Sequence, residues 1–365
     1  MKTEGLERIL NSRMIWNNNQ IYNEVAQMKK MLSDKPLVLY GAGGIGNSVV
    51  KYLKHYQVEV ECLCDKNKSG AHQETGLPII SPDELLKTYA NANIIICSDN
   101  YEEEIEKELL AKGIEKKQIF NRRVLNIHEM THQDFKKYLP GYAQAYDLFE
   151  DEKSKQILLE RIECYLMSEK ISASRAELQY FDPEIITLSD EEIVADGGMY
   201  VGDTAESFMK CVDYKYRHYY GFEPDRKNYQ IAKIALSNLN NVSLINKGLW
   251  NCETELSFNG SLTSSSKLDD KNGEDSVLVT SLDTFFEGKE PPTLIKMDIE
   301  GSELEALKGS EHLIRTYKPK LAICVYHKPE DMYVLPEIIK SYREDYKLYL
   351  RHYTDGIYET VMYAV

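Results

Sequence analysis

The chain has 365 residues, more than one hydrophobic core usually spans, so about two domains are expected. Its net charge is −15, and no lysine or arginine block is long enough to follow a phosphate backbone, which argues against a nucleic-acid partner. Seven scattered cysteines fit no secreted disulfide framework and favour a reducing cytoplasm. The charged N-terminus lacks the apolar core of a signal peptide, and no later run reaches the roughly 20 apolar residues of a membrane span.

Periodicity divides the chain into four parts. Residues 1–35 predict an N-terminal helical segment, and residues 36–124 predict a Rossmann-like nucleotide-binding domain. Residues 125–182 are charged and predict a helical connector, interrupted at Pro140-Gly141. Residues 183–365 alternate strands and helices again. The expected fold class is therefore α/β, with two Rossmann-like doubly wound sheets.

The first domain carries a full GxGxxG turn between the strand LVLY and a helix. Glycines in that context let backbone N–H groups approach a phosphate, and a carboxylate at the end of the next strand suits ribose hydroxyls. A nucleotide or a nucleotide-linked sugar is the predicted ligand, held by Gly41, Gly43, Gly44, Ile45, Gly46 and Asp65. A tight turn kept for packing alone stays open, because the domain lacks the second half that a dinucleotide usually spans.

The second α/β series opens with the loop ADGGMYVGD, which follows a strand and precedes a helix. Asp196 and Asp203 place carboxylates beside glycines, which suits a ligand with an amino acid, a sulfonium and a ribose better than a pyrophosphate. Glu223 ends the next strand in GFEPD, where its two oxygens can accept hydrogen bonds from vicinal ribose hydroxyls. The alternative for Glu223 is a cap on the helix that begins near Asp225.

A third motif, IKMDIEGSE, leaves a buried strand with Lys296, Asp298 and Glu300 on one face. Ser302 and Glu305 predict a capping box for one helix, SELEALKGSEHLIRTY, so Glu305 is left out of the site.

His327 follows the next strand in the string VYH. Imidazole titrates near neutrality and strand ends face the crevice, so His327 is the preferred general base, with Asp298 as its orienting partner or the alternative base. With Glu300 and Glu303, these side chains could instead hold a hard divalent cation. No metal is expected, because no second histidine is near.

Five strings in order, ADGGMYVGD, FEPD, IKMDIEGSELEALKG, VYH and ETVMYA, resemble the FkbM family of methyltransferases. The resemblance implies a class I methyltransferase fold with a terminal antiparallel β-hairpin. It also implies S-adenosylmethionine as the cofactor and O-methylation of a hydroxyl on a sugar, a glycoside or a nucleotide-linked sugar.

The motifs give a set of expected site residues. Contacts to the cofactor are expected from Asp196, Gly197, Gly198, Tyr200, Gly202, Asp203, Thr204, Glu223, Pro224, Gly248, Leu249 and Asp298. Catalysis is assigned to His327 and Asp298, and substrate contacts to Glu300, Glu303, His327, His352 and Tyr180. The expected partner is a small molecule or sugar, and monomer and homodimer both stay open.

Two other interpretations are weighed. A nicotinamide-dependent oxidoreductase or epimerase would use GAGGIG, but no Tyr-x-x-x-Lys pair follows the first sheet in a position to serve hydride transfer, and the second domain stays unexplained. A nucleotide-binding scaffold or sensor with an inactive methyltransferase-like domain is the alternative outside enzymes. Retention of Asp196, Glu223, Asp298 and His327 argues against it.

Overall fold

The structure is a computed structural model that describes residues 29–32, 34–55, 57–98, 101–121, 132–167, 178–259, 267–268, 275–354 and 358–365. The chain divides between residues 129 and 130 into two compact units. Of the predicted N-terminal segment, residues 29–32 are helical and residues 34 and 35 form a turn and a bend; the other residues of the segment lie outside the described part. None of the described helices combines the length and the apolar character needed to cross a bilayer.

The first unit holds a six-stranded sheet of order β3-β4-β2-β1-β5-β6, in which only β3 runs antiparallel to its neighbour. Every residue of β1 and β5 is buried, as expected for central parallel strands covered on both faces. Its strands are β1 Leu37–Tyr40, β2 Cys62–Cys64, β3 Gly70–Ala71, β4 Pro78–Ile80, β5 Asn93–Ile96 and β6 Ile119–Asn121, and its helices are Gly44–His55, Pro82–Thr88 and Glu102–Ala111. The predicted Rossmann-like sheet is confirmed.

Two connector helices, His132–Leu148 and Glu152–Met167, belong to the second unit. The break predicted at Pro140-Gly141 is wrong, because the first helix runs through both residues. A proline removes one internal hydrogen bond, but the glycine lets the helix approach a neighbour closely: a Cβ on Gly141 would lie 2.3 Å from the ring of Tyr333. This tight contact holds the helix against Asp331–Tyr342.

A seven-stranded sheet of order β16-β17-β15-β14-β7-β8-β9 forms the centre of the second unit. Strand β17 runs antiparallel between β15 and β16, and the other neighbouring strands pair in parallel. These strands are β7 Ile193–Gly197, β8 His218–Phe222, β9 Val242–Ile245, β14 Leu294–Met297, β15 Lys320–Cys324, β16 Leu348–His352 and β17 Thr360–Ala364. The terminal hairpin is confirmed; most of its turn lies outside the described residues.

The insert after β9 forms a separate four-stranded sheet of order β10-β13-β11-β12. Its strands are β10 Gly248–Leu249, β11 Thr254–Asn259, β12 Lys267–Leu268 and β13 Asp275–Thr280. The other helices of the unit are Asp203–Cys211, Arg226–Ala235, Leu282–Phe285, Glu303–Lys308, Glu311–Tyr317 and Asp331–Tyr342.

The single helix predicted over SELEALKGSEHLIRTY is wrong, because it divides at Gly309 into two. A Cβ on Gly309 would lie 2.1 Å from the carbonyl oxygen of Trp250, so only glycine fits there. The capping box is also wrong: the side chain of Ser302 makes no cap hydrogen bond, and Glu305 instead pairs with Lys308.

Candidate functional site

The loop after β7 is pressed against the end of β14. Gly198 has φ 75°, and a Cβ there would lie 1.9 Å from the carbonyl oxygen of Asp298, so no other residue fits. The amide of Asp298 donates to the carbonyl of Gly197 at 3.1 Å. Gly202, with φ 96°, ends the loop and starts the helix Asp203–Cys211. The strand order brings the glycine loop and Asp298 together, as the motifs predict.

A buried ion pair between Lys296 and Asp196 holds this loop against the sheet. The Nζ of Lys296 lies 2.9 Å from Asp196, and both side chains are almost fully buried. The same Nζ donates to the carbonyl of Gly198 at 2.8 Å, and the hydroxyl of Tyr219 donates to Asp196. In the structure Asp196 contacts Lys296 and Tyr219, and its expected contact with the cofactor stays a prediction. With no exposed surface, Asp196 holds Lys296, and Lys296 holds the loop.

Glu223 faces the loop from the end of β8. One carboxylate oxygen accepts from the amide of Tyr200 at 3.1 Å and the other from the amide of Asp225 at 2.8 Å. Burial raises the pKa of Glu223 to about 7, although both amides act in the other direction. The helix Arg226–Ala235 is capped by Asp225, whose side chain accepts from Asn228, so the capping alternative for Glu223 is wrong. This leaves a nearly buried carboxylate at a strand end, beside the glycine loop.

The other expected cofactor residues surround the same loop or flank it. Pro224 is tied to Glu223 through Asn246, whose side-chain amide donates to both carbonyls. A Cβ on Gly197 would lie 2.6 Å from the side chain of Leu249, so buried β10 packs on the loop. Asp203 and Thr204 occupy the first turn of the following helix, where Asp203 is exposed.

Four side chains form a second group, here named the carboxylate–histidine cluster: Asp298, Glu300, Glu303 and His327. Nε2 of His327 lies 3.4 Å from Asp298 and 3.6 Å from Glu300, and Nδ1 lies 3.0 Å from Glu303. The side chain of Glu303 is fully buried, that of His327 is 7% exposed, and that of Glu300 is 37% exposed. The cluster thus opens toward solvent on the side of Glu300.

Two tyrosine hydroxyls hold Asp298 in place. Tyr180 donates to one oxygen at 2.8 Å and Tyr326 to the other at 3.0 Å. Tyr180 also lies over Lys296, whose Nζ is 5.0 Å from the ring centroid. Tyr180 was expected near the substrate, but Tyr326 was not selected from the sequence, although it directly precedes His327 in VYH.

The charges of the cluster shift its protonation equilibria. Burial would lower the pKa of His327, but the carboxylates, Glu303 foremost, outweigh it and raise that pKa to about 9. Burial raises the pKa of Glu300 to about 7. Burial opposes ionisation of Asp298 too, but Lys296 and His327 outweigh it, so the pKa of Asp298 falls below its usual value.

Backbone strain marks the same place. Glu300 adopts φ 57° and Tyr180 adopts φ 71°, in the left-handed region that side chains other than glycine rarely occupy. Such strain is typical of sites whose side chains are held for a task. Glu359, at φ 63°, is a further half-buried carboxylate; it bonds to Gln179, and its charge acts on Asp298.

His352 occupies a different kind of position from the cluster. It lies on β16, is fully buried, and its Nδ1 is 2.8 Å from the hydroxyl of Thr360 on β17. This contact joins the two strands of the hairpin, which explains the residue without a substrate.

In the first unit, two glycines of the GxGxxG turn are packed against backbone atoms and two have free space beside them. A Cβ on Gly41 would lie 2.7 Å from the carbonyl oxygen of Cys97, and one on Gly46 would lie 2.0 Å from the carbonyl oxygen of Gly41. Gly43 and Gly44 have nothing within 4 Å of such a Cβ. Ile45 follows in the first turn of the helix.

Asp65 closes this turn from the end of β2. It accepts from the amides of Ala42 at 3.0 Å and Asn67 at 2.9 Å. A packing role therefore explains why Gly41 and Gly46 are glycines and explains the two backbone hydrogen bonds of Asp65. It does not explain Gly43 and Gly44, which have free space beside them.

Each of the two units matches a different family model. Residues 196–348 match the family model described as Methyltransferase FkbM domain, and residues 33–120 match the one described as C2185-like, N-terminal. None of the curated protein sequences gives a significant match to this chain.

Among solved structures, the crystal structure of methyltransferase FkbM from Methylobacillus flagellatus KT aligns over 100% of both chains, with 22% identity and a TM-score of 0.67, which shows a shared fold. An rRNA methylase from Streptococcus thermophilus aligns with 48% of this chain and 87% of its own, at 17% identity and a TM-score of 0.32. Fibrillarin from Aeropyrum pernix, with natively bound S-adenosyl-L-methionine, aligns with 50% of this chain and 70% of its own, at 13% identity and a TM-score of 0.31.

Proposed function

We propose that the chain methylates a hydroxyl group on a sugar, a glycoside or a nucleotide-linked sugar, with S-adenosylmethionine as the donor, because residues 196–348 match the model of the FkbM methyltransferase domain. One observation carries the proposal. The loop proposed to bind the cofactor approaches the backbone of Asp298 closely at Gly198, and the side chain of Asp298 belongs to the carboxylate–histidine cluster. Donor site and ionising groups thus share one edge of the sheet, where ligands bind in such folds.

The residues of the loop fit adenosylmethionine. Glu223 is a nearly buried carboxylate that accepts two backbone amides and has further acceptor capacity, which suits the vicinal hydroxyls of a ribose. The cofactor, when bound, supplies an electrophilic methyl group on a positively charged sulfur. The neighbouring cluster has three carboxylates around one imidazole, an arrangement that favours a cationic group at this edge.

The cluster supplies what the acceptor needs. Methyl transfer to oxygen forms a C–O bond, breaks the C–S bond and releases the hydroxyl proton. We assign contact with that hydroxyl to His327 and Asp298. Because the pKa of His327 is raised to about 9, the imidazole is mostly protonated at neutral pH, so the released proton passes to a carboxylate of the cluster. Tyr180 and Tyr326 keep Asp298 in position, which reduces the reorganisation required during transfer.

Calorimetric titration with S-adenosylhomocysteine tests the donor site. We expect micromolar binding by the wild type, and loss of binding in Glu223→Ala. Glu253→Ala, which removes an exposed carboxylate paired with Lys247, is the matched control and should bind normally. A folded wild type that binds neither S-adenosylhomocysteine nor S-adenosylmethionine would refute the proposal in favour of a scaffold. Transfer of a radiolabelled methyl group to a panel of sugars and nucleotide-linked sugars then identifies the acceptor.

For the first unit, a bound nucleotide or nucleotide-linked sugar is the second proposal. The open space over Gly43 and Gly44, at the start of the helix Gly44–His55, supports it. Titration with NAD and with nucleotide-linked sugars should show saturable binding that Gly43→Val removes. Binding unchanged by that substitution, or no binding, would leave the packing role as the explanation.

A further inference from the structure

We infer that the carboxylate–histidine cluster is a binding site for one divalent transition-metal ion, with Asp298, Glu303 and His327 as ligands. One donor atom from each of the three lies within 4.8 Å of the others. Metal–ligand bonds of about 2.0–2.2 Å allow donors to be separated by up to about 4.4 Å, so small side-chain shifts close the site. No metal was expected from the sequence because no second histidine is near; in the structure, two carboxylates and one imidazole come close enough to share an ion without a second histidine.

Three atoms of two of the proposed ligands are buried without a hydrogen bond. Neither ring nitrogen of His327 nor the Oε2 atom of Glu303 has a hydrogen-bond partner among the described residues, and each of these atoms is buried. Buried polar groups in native proteins are normally satisfied, and buried charges are paired or coordinate metals. Nδ1 of His327 does lie 3.0 Å from the other oxygen of Glu303, but imidazole nitrogen and carboxylate oxygen that converge without hydrogen bonds of their own suit a cation better than a packed core.

Charge balance leads to the same conclusion. Besides the two carboxylate ligands, Glu300 and Glu359 face the cluster. On the positive side, His327 contributes at most one charge, Lys296 is engaged with Asp196 at 2.9 Å, and Lys328 donates to the carbonyl of Gly301. A divalent cation would offset this excess of negative charge.

Hydrogen bonds from neighbouring groups orient the two carboxylate ligands. Glu303 accepts from the amide of Ile299 at 2.9 Å, and Asp298 accepts from two tyrosine hydroxyls. Ligating carboxylates are typically hydrogen-bonded in this way, which fixes their orientation. A mixed imidazole and carboxylate set suits Mn²⁺ or Zn²⁺ better than Mg²⁺.

The inference rests on the proposed function and deepens it. A cation beside Asp298 would lie where the acceptor hydroxyl is ionised, and coordination would make that hydroxyl more acidic. A ring nitrogen of His327 then serves as a ligand, and the released proton passes to Glu300, the most exposed carboxylate of the cluster.

Titration calorimetry of the chelator-treated protein with MnCl₂ and with ZnCl₂ tests the site. We expect one ion per chain, and at least tenfold weaker binding in Asp298→Asn and in Glu303→Gln. Because Glu303 is fully buried, Asp298, whose side chain is 22% exposed, is the variant that keeps the test valid if Glu303→Gln fails to fold. Glu305→Gln, on the same helix but paired with exposed Lys308, should bind as the wild type does.

A folded wild type that binds neither ion, or binding that Asp298→Asn leaves unchanged, would overturn the inference. Titration of the same samples with S-adenosylhomocysteine separates the two claims. Cofactor binding without ion binding removes only the metal site. Ion binding without cofactor binding supports the metal site and counts against the proposed function.

Discussion

Lys296 links the cofactor loop to the sheet through charge and through two carbonyl groups. Its Nζ lies within hydrogen-bond distance of the carbonyls of Gly197 and Gly198 while it neutralises Asp196. Burial alone would lower the pKa of Lys296, but the carboxylates of Asp196 and Asp298 outweigh it and raise that pKa. The lysine therefore stays charged inside the protein. Burial raises the pKa of Asp196, and the charge of Lys296 and the hydrogen bond from Tyr219 oppose that shift and favour the ionised carboxylate.

Lys296→Met should destabilise the second unit strongly. The substitution leaves the carboxylate of Asp196 buried and uncompensated, which costs about 3–5 kcal/mol in comparable pairs. Urea unfolding should show that loss, whereas Lys308→Met, which breaks an exposed pair with Glu305, should change the free energy of unfolding by under about 1 kcal/mol. In the double variant Asp196→Leu with Lys296→Met, much of the loss should be recovered. A single variant as stable as the wild type would contradict this account of the loop.

The protonation state of Glu223 should make cofactor binding depend on pH. With a pKa of about 7, the carboxyl group is mostly protonated at pH 6 and mostly ionised at pH 8. Acceptance of ribose hydroxyls favours the ionised form, so the affinity for S-adenosylhomocysteine should rise about tenfold between these pH values. Calorimetry at pH 6, 7 and 8 measures it. Glu223→Gln should bind weakly with little pH dependence, and an equal slope in that variant would assign the titration to another group.

The sequence predicts the position of a single residue where chemistry and strand ends coincide. Glu223 is an acidic residue at the end of β8 and His327 a histidine after β15, and the structure has both at strand ends as expected, while their roles stay predictions. Tyr326 and Glu359 could not be selected in this way, because tyrosine after a strand is usually core, and Glu359 reaches the cluster only through the pairing of β17 with β15. Asp196 looked like a ligand contact, but a motif does not reveal which way a carboxylate points.

At the scale of elements, close approaches decide where helices end. Periodicity predicts one helix from Ser302 to Tyr317, yet the chain divides at Gly309 because the carbonyl of Trp250 comes to that point. The helix His132–Leu148 shows the reverse, since it continues through Pro140 where local rules predict a break. Both differences come from tertiary contacts that local sequence does not encode.

Gly309→Ala should destabilise the protein although the backbone there, at φ −76°, suits any residue. The new Cβ would lie 2.1 Å from a backbone oxygen and 2.8 Å from the Cβ of Ser281, and neither atom moves without displacing its strand or turn. Overpacking of this kind costs about 1–3 kcal/mol. Thermal unfolding should show a lower Tm. In Gly44→Ala, with nothing within 4 Å, stability should be unchanged or slightly higher. An unchanged Tm in Gly309→Ala would mean that the backbone at Trp250 moves to accommodate the new Cβ at little cost, which would contradict this account.

At the scale of the whole molecule, the sequence predicted two α/β sheets, and the structure confirms both. It did not predict which sheet the connector helices join. Ser154 bonds to Leu350 on β16, and Tyr142 donates to the carbonyl of Pro329, so these helices are part of the second unit. A charged helical pattern indicates an amphipathic surface but does not specify the sheet that covers its apolar face.

The proposed cofactor site draws its residues from the second unit alone, which gives a prediction for the full chain. Binding of S-adenosylhomocysteine should slow amide hydrogen exchange in the loop 197–202 and around Glu223, because these amides close the site. Exchange across residues 37–65 should stay unchanged, since none of the expected contacts lies there. A nucleotide-linked sugar should give the opposite pattern, with protection at Gly43, Gly44 and their neighbours. Mass spectrometry of the exchanged peptides distinguishes the two; protection of residues 37–65 by S-adenosylhomocysteine would place the cofactor in the first unit.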